Sequence, residues 1–531
     1  MKVIRKALLV KSLMILISTC CCTLHLLATS CEYYSPDRNA AFYNERTFAP
    51  QVSNMLRYGS VQTALFTGKL NFSIPIYTLD DPDFNLHVAL SYNSEGFQPR
   101  KHSGFIGYNW FLEAGGCITR EVRDIPDEAI QYDQQSSTTM IGMLRYIEDN
   151  AVDKNRVFYF DKELFTDCTV ENSSIVDYRL GDQCDFWMDY LPDIFNFNFC
   201  GYQGKFMINN MGKPIILEGD FIDVDLSGIY ETYSLNPTEY PQPNSQSQIT
   251  IKTNDGYTYI FGGDLSAIEY TISAKDTHQP MLQSNPTIST WHLKQIIAPN
   301  NRHITYHYKS GVENLLLFNE YYDWFIGTST NLDDINVSKM KYNMVKECVL
   351  ESISVSGNQH LTVKFISALD FNKKYNHSHY SLCNYNYMLN SIEVVSNERV
   401  LKRANLSYMH MSSGANGGYF NWRFLSSVKI TGVGEYTLKY DHSTPYPNLY
   451  TPEEAYREEA NFYGYWLGNP CGGLLTEVGF PTGGIQKYQY EKHQYGKEFR
   501  YEVKNGSDIE IIEVVPNEII TLGARIKRVE T

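Results

Sequence analysis

The sequence lacks the local motifs by which many enzyme families are recognised. It contains no G-x-S-x-G nucleophile elbow, no H-E-x-x-H pair and no glycine loop of the phosphate-binding kind. No glycosidase-like pair of carboxylates stands out either, because 60 acidic residues supply too many candidate pairs. We therefore predict a protein that is not an enzyme, with no catalytic residue and no cofactor.

Basic charge is also scarce. The chain has 45 Lys and Arg against 60 Asp and Glu, a net charge of −15, and no long basic block. A nucleic-acid-binding face needs clustered Lys and Arg to neutralise phosphates. The composition therefore argues against a nucleic-acid partner, and for the same reason against binding to an anionic membrane surface.

Closely spaced cysteine pairs are missing beyond residue 30. No C-x-x-C pair occurs among the remaining cysteines, which are Cys31, Cys117, Cys168, Cys184, Cys200, Cys348, Cys383 and Cys471. The spacing argues against a zinc site of the usual sequence-local type, and we predict no metal. A single disulfide among Cys168, Cys184 and Cys200 stays open, but isolated thiols are the favoured state.

Long apolar runs are confined to the N-terminus. A basic head containing Lys2, Arg5 and Lys6 precedes the mostly apolar residues 13–27 and a small-residue stretch at 28–30. This order predicts a signal peptide over 1–30. An alternative is a lipoprotein acylated at Cys31 or Cys20. No later segment is apolar enough to span a bilayer. The signal peptide therefore leads us to expect export to the cell surface or medium.

Tyrosine and period-two alternation dominate the chain beyond residue 62. The whole sequence has 41 Tyr, 27 Phe and 6 Trp. Apolar residues alternate over 70–76 and 86–92 around a turn-rich stretch, and again over 249–251 and 257–261 around Asp255-Gly256. These patterns predict hairpins, the second with a tight primed turn that needs positive φ angles. Further strands are predicted around 304–308, 436–440 and 488–490.

The predicted architecture is all-β, with many short antiparallel strands in a large curved sheet or partial shell and one or two short helices. A capping box at Thr451-Pro452-Glu453-Glu454 predicts a helix to about Asn461. Residues 31–62 are predicted to form an extended arm, 63–240 a first β region and 241–531 a second.

Three ligand-binding alternatives compete with ordinary structural roles. His377 and His379 could form a metal pair, but a solvated loop is favoured. The aspartates Asp220, Asp223 and Asp225 could bind calcium, but the wet face of a strand is favoured. Trp466 could stack on a sugar ring as part of a surface glycan-binding or adhesion module, but core packing is favoured.

An ordered set of motifs resembles the N-terminal region of bacterial Rhs/YD-repeat secreted shell proteins, particularly their Bacteroidetes forms. The set runs from Thr67 to Val122 and continues with P-D-I-F at 192–195, D-G-Y-T-Y-I-F-G at 255–262, S-T-W-H-L at 289–293, F-P-T-G-G at 480–484 and G-A-R-I at 523–526. One departure is Asn109, where a second glycine is usual, which puts the geometry of that turn in doubt. The motif residues are interpreted as architectural: Gly68, Pro75, Tyr92, Asn93, Gly107, Trp110, Gly115, Gly116, Arg120, Asp255, Gly256, Trp291, Pro481, Gly483, Gly484 and Arg525.

The resemblance implies a role as part of a shell that encloses or displays a polypeptide cargo, such as a toxin delivered to other cells. Its expected partners are the remainder of such a shell, or the cargo itself. The YD repeats and the D-P-x-G-L self-cleavage motif of such proteins are not found in this sequence. Whether the chain is a fragment, a decayed gene or a stand-alone module stays open.

Overall fold

The computed structural model describes residues 68–530, apart from short interruptions. The gaps are 95, 100, 124, 134–137, 145–175, 178–185, 189–190, 210, 230–241, 276–285, 310–314, 326–335, 358–360, 371–385, 413–420, 445, 447–465, 467–468, 493–497, 505–507 and 515–522. The predicted signal peptide, the extended arm, the helix at 451–461 and the His377/His379 pair lie outside the described residues.

The described residues form an almost entirely β structure, which confirms the predicted fold class. Helical structure in this part of the chain consists of the 3-10 turn Leu265–Ala267 and two residues at 143–144. No helix among the described residues is long and apolar enough to cross a membrane. The described strands are β1 Asn71–Asp80, β2 Asn85–Asn93, β3 Trp110–Glu113, β4 Gly116–Glu121, β5 Ile130–Asp133, β6 Thr138–Ile141, β7 Val176–Asp177, β8 Phe186–Met188, β9 Ile194–Phe199, β10 Tyr202–Ile208, β11 Pro214–Gly219, β12 Asp223–Asp225, β13 Gln248–Lys252, β14 Thr258–Gly262, β15 Ile268–Lys275, β16 Thr287–Ile297, β17 His303–Tyr308, β18 Leu315–Phe325, β19 Asn336–Lys346, β20 Leu350–Val355, β21 Leu361–Leu369, β22 Tyr387–Ser396, β23 Arg399–Ser412, β24 Asn421–Ile430, β25 Gly434–Tyr440, β26 Leu475–Gly479, β27 Ile485–Lys492, β28 Glu498–Lys504, β29 Asp508–Val514 and β30 Ala524–Glu530.

The chain divides into two compact units, residues 1–45 with 129–191, and residues 46–128 with 192–531. In the first unit, the described strands form a four-stranded sheet in the order β5-β6-β8-β7, with β6 and β8 parallel. The second unit contains the remaining strands, all in antiparallel pairs. The division predicted near residue 240 stays a prediction.

Strand β16 is the branch point of the second unit. Its first half pairs with β15 and β4, which continue to β19 and β18 on one side and to β9, β10 and β11 on the other. Its second half pairs with β14 and β17. From β17 the sheet continues through β20 to β27 by pairing of successive strands and ends on β30. One long strand therefore belongs to two extended sheets.

The predicted hairpins are confirmed, with one correction. Strands β1 and β2 pair antiparallel, as do β13 and β14. The tight primed turn predicted at Asp255-Gly256 is wrong, because only Gly256 has a positive φ, of 86°. Gly256 N donates to Thr253 O at 2.9 Å and Thr253 N to Tyr257 O at 3.1 Å. The loop is thus longer and needs a single left-handed residue at its end.

Candidate functional site

Separate segments of the chain meet at the buried side chain of Arg120 on β4. Its Nη1 lies 2.8 and 2.6 Å from the two carboxylate oxygens of Glu128, while Nε and Nη2 donate to the carbonyl oxygen of Ile288 at 3.0 and 2.7 Å. The guanidinium carbon is 5.0 Å from the ring centroid of Trp291, and Nη1 is 3.7 Å from Asp193 Oδ2. Arg120, Asp193 and Trp291 belong to three different motifs of the sequence, and here they contact one guanidinium.

Two aspartates beside Arg120 hold each other through backbone amides. Asp127 N donates to Asp193 Oδ2 at 3.1 Å, and Asp193 N donates to Asp127 Oδ2 at 3.1 Å. Burial first, and then the charges of neighbouring carboxylates, raise the pKa of Asp127. Burial likewise raises the pKa of Asp193, although the charge of Arg120 opposes the shift. With several carboxyl groups around one guanidinium, this aspartate pair retains a proton more readily than ordinary carboxyl groups.

A second buried ion pair lies at the start of β24. Arg423 Nη1 is 2.5 Å from Asp370 Oδ2, and Nη2 donates to Gly104 O at 2.6 Å. His410 Nε2 is 3.0 Å from the same Asp370 oxygen. Burial raises the pKa of Asp370, but the His410 hydrogen bond and the Arg423 charge outweigh burial and hold it well below its usual range. Sequence reasoning missed this centre, because its members carry no local spacing signal.

Aromatic side chains join the three-stranded sheet β1-β2-β3 to strands β24, β25 and β26. Trp110 Nε1 donates to Tyr440 Oη at 2.8 Å, and Tyr440 Oη donates to Leu425 O at 2.7 Å. Tyr92 Oη accepts from Leu475 N at 3.0 Å. Both Tyr92 and Trp110 are fully buried. The bonds of Trp110 and Tyr92 connect residues more than 300 positions apart, so the motif aromatics serve long-range packing.

Close backbone approach explains one motif glycine, and a left-handed turn explains the departure from the motif. A Cβ on Gly116 would lie 2.3 Å from Phe199 Cβ and 2.5 Å from Asn198 O. Asn109 has a φ of 62°, in the region that glycine occupies freely and asparagine tolerates best among other residues. The turn at Asn109 therefore has the left-handed conformation that a glycine would allow. In addition, Asn109 Oδ1 accepts a hydrogen bond from Lys101 Nζ at 2.8 Å.

The remaining motif residues lie at bulges, turns and strand edges. Pro75 sits at a bulge in β1, where the register with β2 shifts, and Asp255 and Gly256 form the exposed β13–β14 loop. Gly483 and Gly484 are exposed in the β26–β27 turn, and the exposed Arg525 pairs with Glu491 at 2.8 Å. The other motif positions are Gly68 beside Arg525, buried Asn93 and Gly107, Gly115 beside Tyr306, and Pro481 beside Gly434.

A cavity of about 520 Å³ opens beside these motif residues. Its wall includes Tyr202, Tyr257 and Tyr259, with Asp83 and Asp255 at the polar side. The rings of Tyr257 and Tyr259 are 6.4 Å apart at 29°, and those of Tyr202 and Tyr259 are 6.1 Å apart at 64°. Tyr202 Oη donates to Asp255 Oδ2 at 3.3 Å, and Tyr257 Oη to Asp83 O at 2.6 Å. The cavity combines aromatic faces with oriented polar groups, as small-ligand pockets do.

The ligand-binding alternatives fare differently. Trp466 is buried and stacks at 12° on Tyr446, so it presents no sugar platform, in agreement with core packing. Asp223 and Asp225 lie on the exposed face of β12, as expected for a wet strand face. Among the described residues, the His, Cys and acidic side chains whose ligand atoms all lie within 4.8 Å of one another are Glu269, His292 and Cys348, which sequence reasoning missed.

Comparisons with known proteins give structural likeness without sequence likeness. No protein-family model and no curated protein matches the chain. Among solved structures, the N-terminal domain of the effector SpvB from Salmonella typhimurium strain LT2 matches at 11% identity and a TM-score of 0.27, over 68% of this chain and 98% of that one. The TcdB2–TccC3 structure matches at 12% and 0.31, over 87% and 20%. A Photorhabdus luminescens Tc holotoxin pore matches at 10% and 0.29, over 85% and 19%.

These neighbours are components of Tc toxins and an effector protein, and the chain spans about a fifth of the length of the two Tc chains. At such identities and TM-scores they do not place this chain in a family.

Proposed function

We propose that this chain is a non-enzymatic structural segment of an exported β shell of the Rhs/YD-repeat type, which encloses or displays a polypeptide cargo. The observation that carries the proposal is that several motif residues are buried and connect distant parts of the chain. Arg120, Trp110, Tyr92 and Trp291 are fully buried, and they join strands that are far apart in the chain. Residues buried in this way build a scaffold.

The outer edge of one sheet supports the same proposal. The β10–β11 hairpin and the residue pair after it expose large apolar side chains, with exposed fractions of 56% for Met211, 46% for Leu217 and 75% for Phe221. Large exposed apolar side chains on an edge hairpin suit a surface that another polypeptide covers. In a shell, the neighbouring wall or the cargo would provide that cover.

The test begins in native cells, with an antibody raised against residues 191–229. We expect the antibody to detect an exported, protease-accessible species, and immunopurified particles to show a hollow interior by negative-stain electron microscopy. A protease-resistant polypeptide should remain inside until the wall is opened. Solid particles with no protected polypeptide would overturn the proposal.

A variant pair sharpens the test. Replacing Arg120 with Met removes the buried scaffold contact, whereas replacing Lys205 with Met breaks only an exposed pair with Glu218. We expect the protected polypeptide to become protease-sensitive in Arg120→Met and to stay protected in Lys205→Met. Equal protection in both would contradict a wall that depends on this centre.

A second candidate function is binding of a glycan, which the aromatic cavity favours. Tyr202 and Tyr257 are partly exposed, and the carboxylates of Asp83 and Asp255 lie beside them. Aromatic faces with adjacent acceptors suit the apolar faces and hydroxyl groups of sugar rings. Titration calorimetry with oligosaccharide panels should then show saturable binding that Tyr257→Ala abolishes and that Tyr490→Phe, at a residue outside the cavity wall, retains. Absence of binding in the wild type would remove this candidate.

A further inference from the structure

Three side chains with different donor atoms converge on one face of the sheet at the β16 branch point. Glu269 is on β15, His292 on β16, and Cys348 follows β19. Their ligand atoms all lie within 4.8 Å of one another. The Nε2 atom of His292 is 3.0 Å from Glu269 Oε1, and Cys348 N is 3.4 Å from the same oxygen. The three come from strands that are neighbours in space, although they are up to 79 residues apart along the chain.

The buried carboxylate has an unused oxygen. Glu269 is 1% exposed, and no hydrogen-bond donor among the described residues reaches its Oε2 atom. A buried carboxylate oxygen without a partner lowers the stability of the folded chain, because burial removes its hydrogen bonds to water and no protein donor replaces them. The oxygen is therefore available to a ligand that the protein itself does not supply.

A lysine on β19 lies beside the Cys348 sulfur. Lys346 Nζ donates to the carbonyl oxygens of Leu265, Ser266 and Ile268 at 2.7, 3.3 and 3.0 Å, which fixes the ammonium 3.6 Å from Cys348 Sγ. With the Glu269 carboxylate oxygen and the His292 nitrogen, the Cys348 sulfur completes a set of three different donor atoms.

We infer that Glu269, His292 and Cys348 form a transition-metal site that takes Zn²⁺. Carboxylate oxygen, imidazole nitrogen and thiolate sulfur are all zinc ligands, and the thiolate disfavours Ca²⁺ and Mg²⁺. Tetrahedral bonds of about 2.0–2.3 Å place ligand atoms about 3.3–3.8 Å apart, so small side-chain adjustments within the observed 4.8 Å suffice.

Such a metal would link β15, β16 and the β19–β20 connection at the branch point. The inference of a metal site does not depend on the proposed shell function. A chain stripped with chelator, carrying no histidine tag, should bind one equivalent of Co²⁺ with tetrahedral d–d bands and a thiolate charge-transfer band, and Zn²⁺ should displace the cobalt. Absence of the charge-transfer band, or binding well below one equivalent, would overturn the site.

Substitutions assign the ligands. Cys348→Ser should abolish the charge-transfer band and weaken Co²⁺ binding by more than the roughly 10–100-fold that loss of an outer partner costs. His292→Asn and Glu269→Gln should weaken it similarly. The control Cys471→Ser removes a thiol outside the cluster and should bind like the wild type. Equal behaviour of the Cys348 and Cys471 variants would refute the assignment.

A measurement on the wild type alone guards against variants that do not fold. Bound Zn²⁺ should protect Cys348 from alkylation by iodoacetamide, read by peptide mass spectrometry, whereas the labelling of Cys471, which lies outside the cluster, should be the same with and without zinc. Unchanged labelling of Cys348 on adding zinc would contradict the site even if every substitution destabilised the protein.

Discussion

The buried centre at Arg120 makes the sharpest prediction, through the substitution Arg120→Met. Methionine fills a similar volume but leaves the Glu128 carboxylate without its two hydrogen bonds and Ile288 O without two donors. Removing one partner of a buried ion pair costs about 3–5 kcal/mol, and an unsatisfied carbonyl about 1–3 kcal/mol more. Because such terms are not additive, we expect a loss of about 4–6 kcal/mol of unfolding free energy near pH 8.

Urea titration followed by tryptophan fluorescence measures this loss, and Trp291 beside the guanidinium reports on the centre directly. Urea leaves electrostatic interactions unscreened, and a long chain makes the melting temperature an insensitive readout. Lys205→Met is the control, because its pair with Glu218 is exposed on both sides and exposed pairs contribute about 0–1 kcal/mol. Arg120→Lys should lie between the two, since an ammonium cannot reproduce the forked contacts.

The loss should also depend on pH. The folded-state pKa values of Asp127 and Asp193 are raised, so their contribution to stability is complete below the ordinary carboxyl range and is lost as pH rises through the raised values. Without Arg120 these pKa values rise further, and the deficit of Arg120→Met should widen from pH 5 to pH 8. A deficit no larger than that of Lys205→Met, or one independent of pH, would refute this account of the centre.

Three further predictions concern the aspartate pair, the close glycine and the exposed sheet edge. Asp127→Asn should raise the unfolding free energy at pH 8 and reduce its change with pH, because an amide oxygen still accepts the bond from Asp193 N and carries no charge. Urea titrations that give the wild-type difference in unfolding free energy between pH 5 and pH 8 would contradict this. Gly116→Ala should cost several kcal/mol through its clash with Phe199, whereas Gly483→Ala, with open space around a φ of 88°, should cost only about 1–2 kcal/mol; equal unfolding midpoints would show that the close approach is not needed. Phe221→Ser together with Leu217→Thr should reduce the self-association that light scattering measures, without lowering the unfolding midpoint. Undiminished association would show that the chain does not associate through the β10–β11 edge.

The hairpins could be predicted because their information is local. Alternation over 70–76 and 86–92 places one face of each strand inside, and the intervening turn makes them neighbours, as the β1–β2 pairing confirms. The loop at Asp255-Gly256 was predicted too short, because the dipeptide suits several turn types and only the backbone decides how many residues have positive φ.

The candidate sites depended on contacts that the sequence pattern does not encode. Arg120, Trp110 and Trp291 were singled out from the sequence, but their partners Glu128 and Tyr440 were not. Short spacings along a sequence reveal metal ligands, but Glu269, His292 and Cys348 are spread over 79 residues and are close only across neighbouring strands.

The class of structure follows from the residue pattern, because apolar and polar residues alternate along the strands and one face of each strand must be buried. The sequence also argued against a nucleic-acid-binding protein, because negative charge predominates. The folded chain was needed to show that β16 joins two sheets and that Glu269, His292 and Cys348 meet there. The physical reason is that backbone hydrogen bonds between strands are nearly independent of side-chain identity. The choice of non-adjacent neighbours is made by packing of the whole chain.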